Sequence, residues 1–191
     1  QNVAVGQAAL DTNTTGSGNT AVGRDAMTAN TTASNNTALG LSALTANTTG
    51  TGNTAVGMRS QRVGTTGDNN TSIGKDTLYT NTTGEFNTAL GNNALEGNTT
   101  ADNNTSVGYN SMKANTTGTV NVAVGAETLQ ANTTANHNAA FGYRALKANT
   151  TGTLNVALGS NALVLNTTGG NNAAIGYASL GANTTGSTNS A

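Results

Sequence analysis

The chain contains no cysteine, no proline and no tryptophan, and aromatic residues make up only 3% of it. Without cysteine, neither a disulfide nor a thiolate metal site can hold it together. Charge is scarce too: 8% of residues are charged, against about a quarter in an ordinary globular domain. The net charge of −1 provides neither the basic footprint of a nucleic-acid binder nor a funnel for acidic substrates. No apolar run approaches the roughly 18 residues of a membrane span, and no signal peptide is visible, so no membrane insertion is expected. Catalysis has little to draw on. The single histidine, His137, falls at a turn position, the acidic residues never fill one repeating position, and the glycines match no phosphate-loop spacing. The chain reads as a non-enzyme with no cofactor, no catalytic residue and no metal site.

What the chain has is repetition. Asparagine recurs at Asn2, Asn19, Asn36, Asn53, Asn70, Asn87, Asn104, Asn121, Asn138, Asn155, Asn172 and Asn189, every step being 17 residues. The interval from 2 to 189 therefore holds (189 − 2)/17 = 11 repeats with no insertion or deletion. Low charge and low hydrophobicity would also suit a disordered linker, but such a linker has no reason to keep count. Residues 1–191 read as a single array with coils starting at 2, 19, 36, 53, 70, 87, 104, 121, 138, 155 and 172. The array opens one residue before a repeat and stops shortly after another begins, as expected of a segment from a longer fibre protein.

With the opening asparagine as position 1, the remaining positions have distinct chemistry. Position 4 is always apolar, from Val5 and Val22 through Phe141, Leu158 and Ile175. Position 5 is always glycine, Gly6 to Gly176. Positions 3 and 8 are small throughout, and position 9 is Leu or Met in ten repeats. Positions 6, 7 and 10 vary and hold most of the charge, including Arg24, Arg59, Asp76, Glu96, Lys113, Glu127, Arg144 and Lys147. The alternation at positions 2 to 4 is the period-2 signature of a short strand, with 2 and 4 sharing one face. A second strand is expected over positions 8 to 11, with 9 and 11 inward. Glycine at position 5 supplies a corner, and the Asn-Thr-Thr-Gly block a return turn.

Each repeat is therefore read as one coil of an all-β parallel β-solenoid, a β-roll. Adjacent coils lie about 4.8 Å apart, giving a rod about 50 Å long. The opening asparagines then stack into an amide ladder at a partly buried turn. On this reading Leu39 and Leu44 fill the coil, while Ala38 and Ala43 lie on a small-residue face open to a neighbour. One coil so thin buries little area against the cost of ordering 17 residues, so self-association is expected.

The segments NVAVG (Asn121 to Gly125), NTSIG (Asn70 to Gly74) and NAAIG (Asn172 to Gly176) resemble the strand motif in the head domains of trimeric autotransporter adhesins. The longer unit NTALGxxALxxNTTGxx, as in Asn36 to Gly52, is similar to repeats of phage-type tail-fibre proteins and related bacterial surface proteins, many of which end in a self-cleaving intramolecular chaperone domain. The resemblance covers almost the whole chain. It implies an extracellular, trimeric, structural or adhesive fibre on a virion or cell surface, acting as a shaft or a receptor-binding head. Its implied partners are further copies of itself and a host-surface glycan or protein receptor.

A rival reading lies in the threonines. Position 13 is Thr in every repeat: Thr14, Thr31, Thr48, Thr65, Thr82, Thr99, Thr116, Thr133, Thr150, Thr167 and Thr184. Position 14 matches it: Thr15, Thr32, Thr49, Thr66, Thr83, Thr100, Thr117, Thr134, Thr151, Thr168 and Thr185. Two unbroken threonine columns on a rigid solenoid resemble the ice-binding faces of β-helical antifreeze proteins, with ice as the partner. Adjacent residues of an extended strand point to opposite sides, however, so only one column need face out.

Smaller features complete the reading. Tyr109, Tyr143 and Tyr177 share position 6 in alternate repeats and form a candidate aromatic strip for sugars. Position 17 alternates Gly18, Gly52, Phe86, Val120 and Leu154 with Asn35, Asn69, Asn103, His137 and Asn171, a period of 34 that suggests a local packing contact for the apolar members. Asp68 and Asp102, each followed by two asparagines, offer oxygens for calcium, although turn propensity explains them as well. The Asn-Thr-Thr triplets match the N-glycosylation acceptor pattern at Asn13, Asn30, Asn47 and seven further repeats. The fourth repeat, Asn53 to Asn69, breaks the rules, with Gln61 at position 9, Val63 at position 11 and Gly64 in place of asparagine.

Overall fold

A computed structural model describes all residues 1–191 as eleven parallel strands stacked into one β-solenoid. The strands are β1 (Val3–Val5), β2 (Thr20–Val22), β3 (Thr37–Leu39), β4 (Thr54–Val56), β5 (Thr71–Ile73), β6 (Thr88–Leu90), β7 (Thr105–Val107), β8 (Val122–Val124), β9 (Ala139–Phe141), β10 (Val156–Leu158) and β11 (Ala173–Ile175). Each pairs with the next in an unslipped 17-residue register, such as Thr37↔Thr54 and Ala38↔Ala55. We number the coils 1 to 11 accordingly.

The strand phase is the reverse of the one expected. Position 3 is buried, with Ala21, Ala38, Ala55, Ala89 and Ala123 at 0% exposure, whereas Leu39, Leu90 and Leu158 at position 4 are 47%, 45% and 49% exposed. Alternation fixes which residues share a face but not which face lies inside. Here the inner face lies across a thin interior from the position-9 side chain and two columns of asparagine, which leaves room only for Ala or Ser. The small-residue columns at positions 3 and 8 thus form the core wall. They do not offer the open docking face that the sequence suggested.

Position 9 does point inward, and Met27, Leu44, Leu78, Leu95, Met112, Leu129, Leu146 and Leu163 are fully buried. No second strand forms, however. Positions 6 to 11 run as consecutive turns, and residues at positions 7 and 9 adopt left-handed backbone, as in Asn93 (φ 59°) and Leu95 (φ 51°). Left-handed geometry at non-glycine residues costs on the order of 1 kcal/mol each. The offset comes from bonding along the rod: Leu95 N–H donates to Ser111 O (3.1 Å) in the next coil, while Asn93 N–H donates to Lys75 O (3.0 Å) in the previous one. Only 20 of the 125 backbone hydrogen bonds lie within the strands, so axial pairing continues around the whole coil. Position 11 does not turn inward: Ala114, Ala182 and Leu165 are exposed.

Glycine at position 5 is required by stacking. Gly91 has φ +129°, and a Cβ added there would lie 2.6 Å from Gly108 O of the next coil. The apolar members of position 17 pack against nothing comparable. Phe86, Val120 and Leu154 are 55%, 45% and 53% exposed, which corrects the expected packing contact. The 34-residue rhythm is nonetheless real in the hydrogen bonding. Position-16 side chains of coils 2, 4, 6 and 8 accept the position-16 N–H of the coil before, as in Thr51 N to Asp68 Oδ1 (2.6 Å), Glu85 N to Asp102 Oδ1 (2.7 Å) and Thr119 N to Asn136 Oδ1 (2.6 Å), and the rhythm breaks at Gly170 of coil 10, whose own N–H donates to Ser187 Oγ (3.0 Å).

The interior is organised by two asparagine ladders. At position 1, Asn36 Nδ2 donates to Gly50 O (2.8 Å) and Asn36 Oδ1 accepts from Asn53 N (2.8 Å). At position 12, Asn98 Nδ2 donates to Ala101 O (3.1 Å) and to Asn81 Oδ1 (2.8 Å), and Asn98 Oδ1 accepts from Asn115 Nδ2 (2.9 Å). Both ladders converge on the position-15 carbonyl: Gly50 O accepts from Asn36 and from Asn47 (2.9 Å). Replacing Asn98 with Ala removes its own bonds, leaves Asn81 Oδ1 without a donor and takes from Asn115 Nδ2 one of its two acceptors. The expected cost is about 3 kcal/mol, against less than about 0.5 kcal/mol for the exposed Thr100→Ala. Thermal unfolding followed by circular dichroism checks the contrast.

Candidate functional site

Three outward surfaces carry chemistry. The first is the outer face of the eleven strands. Positions 2 and 4 hold no charged residue in any coil. Val5, Leu39, Ile73, Leu90, Phe141, Val156, Leu158 and Ile175 are all exposed. Position 2 is Thr from Thr20 to Thr105, then Val or Ala from Val122 to Ala173, so the face becomes wholly apolar in the second half of the rod. From position 2 to position 4 the strip is about 7 Å wide and about 50 Å long, on the order of 350 Å². That is the size of the largest apolar patch on a typical monomer, and such patches are often functional.

The second surface is the pair of threonine columns, which the fold separates by role. At position 13 each hydroxyl donates along the stack, from Thr14 Oγ1 to Thr31 O (3.0 Å) through to Thr167 Oγ1 to Thr184 O (3.0 Å). The receiving carbonyl is triply used: Thr31 O also accepts Thr14 N (2.9 Å) and Thr15 N (3.2 Å). Position 13 therefore spends its hydroxyl on the fold and, apart from Thr14 and Thr184, is only partly exposed. Position 14, Thr15 to Thr185, is exposed in all eleven coils, and its hydroxyls donate no hydrogen bond within the chain. It is the one unbroken threonine column that faces solvent from end to end.

The third surface follows the strand at positions 6, 7 and 10. Tyr109, Tyr143 and Tyr177 are 54%, 45% and 81% exposed, and the Arg144 guanidinium lies 4.7 Å from the Tyr143 ring centroid. Ion pairs run between coils: Arg59 Nη2 to Asp76 Oδ2 (2.7 Å), and Arg144 Nε and Lys147 Nζ to Glu127 Oε2 (2.8 and 2.7 Å). Positions 7 and 10 thus face one another across coils. Asp76 is 8% exposed. Hydrogen bonds from Lys147 and then Arg144 hold the Glu127 carboxyl below the usual carboxylate range. A depressed pKa stabilises the fold above the ordinary carboxylate pKa, and this contribution disappears as pH falls through the depressed value. The melting-temperature advantage of wild type over Glu127→Gln is accordingly expected to be small and positive at pH 7 and to vanish in acid, as measured by melting both proteins across a pH series.

Other expected sites resolve into structure. The position-12 asparagines of the Asn-Thr-Thr triplets are buried from Asn30 to Asn166, and their amide nitrogens donate inward, so in the folded rod they are not open to a glycan. Asp68 and Asp102 turn an oxygen onto backbone N–H groups, and no three acidic, histidine or cysteine side chains gather as a metal site. His137 lies exposed at the coil corner with φ 57°. Comparison of the chain with protein-family models, curated proteins and solved structures finds no match.

Coil 4 is where the interior changes. Gln61 replaces the core leucine at 1% exposure and divides the hydrophobic core into clusters spanning Ala21–Ala55 and Leu78–Ala174. Its side chain occupies the space left by the missing asparagine: a Cβ on Gly64 would lie 2.9 Å from Gln61 Cγ. Gln61 Nε2 reaches Asn53 Oδ1 (3.3 Å), but Asn47 Oδ1 and Gln61 Oε1 have no donor. Val63 at position 11 is only half-buried, and Gln61 itself fills the core position. Restoring both consensus residues, Gln61→Leu with Gly64→Asn, is expected to stabilise by about 2 kcal/mol. Gly64→Asn alone destabilises, giving a coupling of about 1–3 kcal/mol in a denaturant double-mutant cycle.

Proposed function

We propose that this chain is a rigid, non-enzymatic fibre segment that associates laterally with further copies of itself through the outer strand face. The observation that carries the reading is the charge-free apolar strip along positions 2 and 4. Flat parallel sheets with ridges repeating at strand spacing are self-complementary, and two such faces pack about 10 Å apart. Resemblance to trimeric adhesin heads and tail-fibre repeats gives three as the expected number of copies, and an extracellular, virion or cell-surface setting. There the rod serves as a shaft or an adhesive head.

A second reading is favoured by one observation, the solvent-facing position-14 threonine column with hydroxyls free of intramolecular donation. In that reading the column orders water as an ice-binding face, with the strand face as its apolar neighbour.

Light scattering distinguishes the two. A trimer of about 56 kDa (3 × 18.8 kDa) is expected for the wild type. The triple substitution Leu90→Lys, Val124→Lys and Leu158→Lys is expected to yield monomers with an unchanged β circular-dichroism spectrum. A wild-type monomer would sink the fibre reading, and a monomer that also shapes ice crystals would establish the second.

A further inference from the structure

Coil 4 is tied unequally to its two neighbours. Toward coil 5 its side chains make three bonds: Arg59 Nη2 donates to Asp76 Oδ2 (2.7 Å), Ser60 Oγ to Ser72 Oγ (2.8 Å) and Arg62 Nη1 to the Tyr79 oxygen (2.7 Å). Toward coil 3, side-chain hydrogen bonds come only from positions 1, 13 and 16. They are Asn53 N to Asn36 Oδ1 (2.8 Å), Thr48 Oγ1 to Thr65 O (3.1 Å), and Thr51 N and Oγ1 to Asp68 Oδ1 (2.6 and 3.2 Å). Nothing joins the side chains of positions 6 to 12, the turn side of the coil, across that junction.

The interior is interrupted on the same side. Asn47 Nδ2 donates back to Asn30 Oδ1 (3.2 Å), but with Gly64 at the next rung Asn47 Oδ1 has no donor. The ladder resumes at Asn81, whose Nδ2 donates only to Gly84 O (2.9 Å). Leu44 faces Gln61 instead of another leucine, and Gln61 Oε1 is buried without a donor. The strand side of the junction is intact. Thr37 N donates to Asn53 O and Gly57 N to Leu39 O (both 2.8 Å), and the position-1 ladder continues from Asn53 to Asn70 N (2.9 Å).

In a stacked rod each coil touches only its neighbours, so the weakest interface opens first. Opening the turn side between coils 3 and 4 breaks three backbone bonds, Leu44 N to Ser60 O, Ala46 N to Arg62 O and Arg59 N to Leu41 O. It breaks no amide rung and parts no leucine pair, and it hydrates Asn47 Oδ1 and Gln61 Oε1, which lack partners when closed. The equivalent opening between coils 8 and 9 would also break Asn149 Nδ2 to Asn132 Oδ1 (3.2 Å) and separate Leu129 from Leu146 within one core cluster. We propose that the junction between coils 3 and 4 is a one-sided joint. It opens on the turn side about the intact strand side, so the arm of coils 1–3 tilts toward the strand face relative to coils 4–11. The joint does not rest on lateral association.

Amide hydrogen exchange of the 191-residue chain, read by NMR as protection factors, tests the joint. Leu44, Ala46 and Arg59 are expected to be about tenfold less protected than their counterparts Leu129, Ala131 and Arg144 at the junction of coils 8 and 9, the effect of one absent hydrogen bond. Thr37 and Gly57, on the strand side, are expected to match their counterparts Val122 and Gly142. Gln61→Leu with Gly64→Asn is expected to abolish the turn-side difference. The converse exchange, Leu129→Gln with Asn132→Gly, is expected to create it at Met112 and Ala114, and carries the test should the first variant fail to fold. Three results overturn the proposal. One is equal protection at the two junctions. Another is loss of protection on both sides of coil 3, which is fraying from the end of the rod. The third is a turn-side difference that persists in Gln61→Leu with Gly64→Asn.

Discussion

The fold depends on the demand that a buried amide side chain be bonded in both directions along the rod. An asparagine at position 1 or 12 has a donor and an acceptor to satisfy in an interior without bulk water, and an unmet group there costs about 1–3 kcal/mol. Each ladder meets the demand only if the neighbouring coil places an equivalent atom one strand spacing away. Asn36 Oδ1 is satisfied by Asn53 N and Asn98 Oδ1 by Asn115 Nδ2, each 17 residues on. One inserted or deleted residue would displace the pairs of both ladders that span it. The absence of insertions across the array follows from that constraint.

The same ladders determine where the apolar residues go. Two columns of asparagine, a carbonyl at position 15 and one leucine per coil fill a narrow interior, so the inward strand residue must be Ala or Ser. The large aliphatic residues of position 4 are thereby placed on the outside. In an ordinary globular domain the hydrophobic effect would reserve them for the core. In this rod axial hydrogen bonding supplies the internal order, and the apolar surface is left available for another molecule. The left-handed residues at positions 7 and 9 belong to the same economy, since their strain is offset by amides aligned along the axis.

The 17-residue period made the solenoid, its parallel register, the inward leucine column and the asparagine ladder legible before any coordinates, because each is a statement about what stacks on what. The choice of inner face was not legible. Period-2 alternation at Thr37-Ala38-Leu39 is symmetric between inside and outside, and hydrophobicity points to Leu39. Only the width of the interior, set by Asn36 and Asn47 together, admits Ala38 instead. The turn conformation of positions 8 to 11 was hidden for a related reason, as leucine at φ 51° has no local sequence signature. Of the candidate sites, exposure of one threonine column was foreseeable from strand geometry, but the hydroxyl-to-carbonyl ladder that occupies the other depends on three-dimensional stacking. The ion pair between Arg59 and Asp76 had no sequence signal beyond the charge of the two residues 17 apart.

Conserved and variable positions therefore divide the molecule by task. Positions 1, 3, 5, 9, 12, 13 and 15 build the coil and permit few residue types, so they carry no information about a partner. Positions 2, 4, 6, 7, 10 and 17 face outward or pair between coils, and there the eleven repeats differ from one another. A uniform rod meant only as a spacer would have no physical reason to change from Thr to Val and Ala at position 2 beyond coil 7. Nor would it need to replace a core Leu–Asn pair with Gln61 and Gly64 at the cost of two unpaired oxygens. The outer face distinguishes the two ends of the rod, and coil 4 marks a place along it. Together they make heights along a one-dimensional lattice chemically distinguishable from one another.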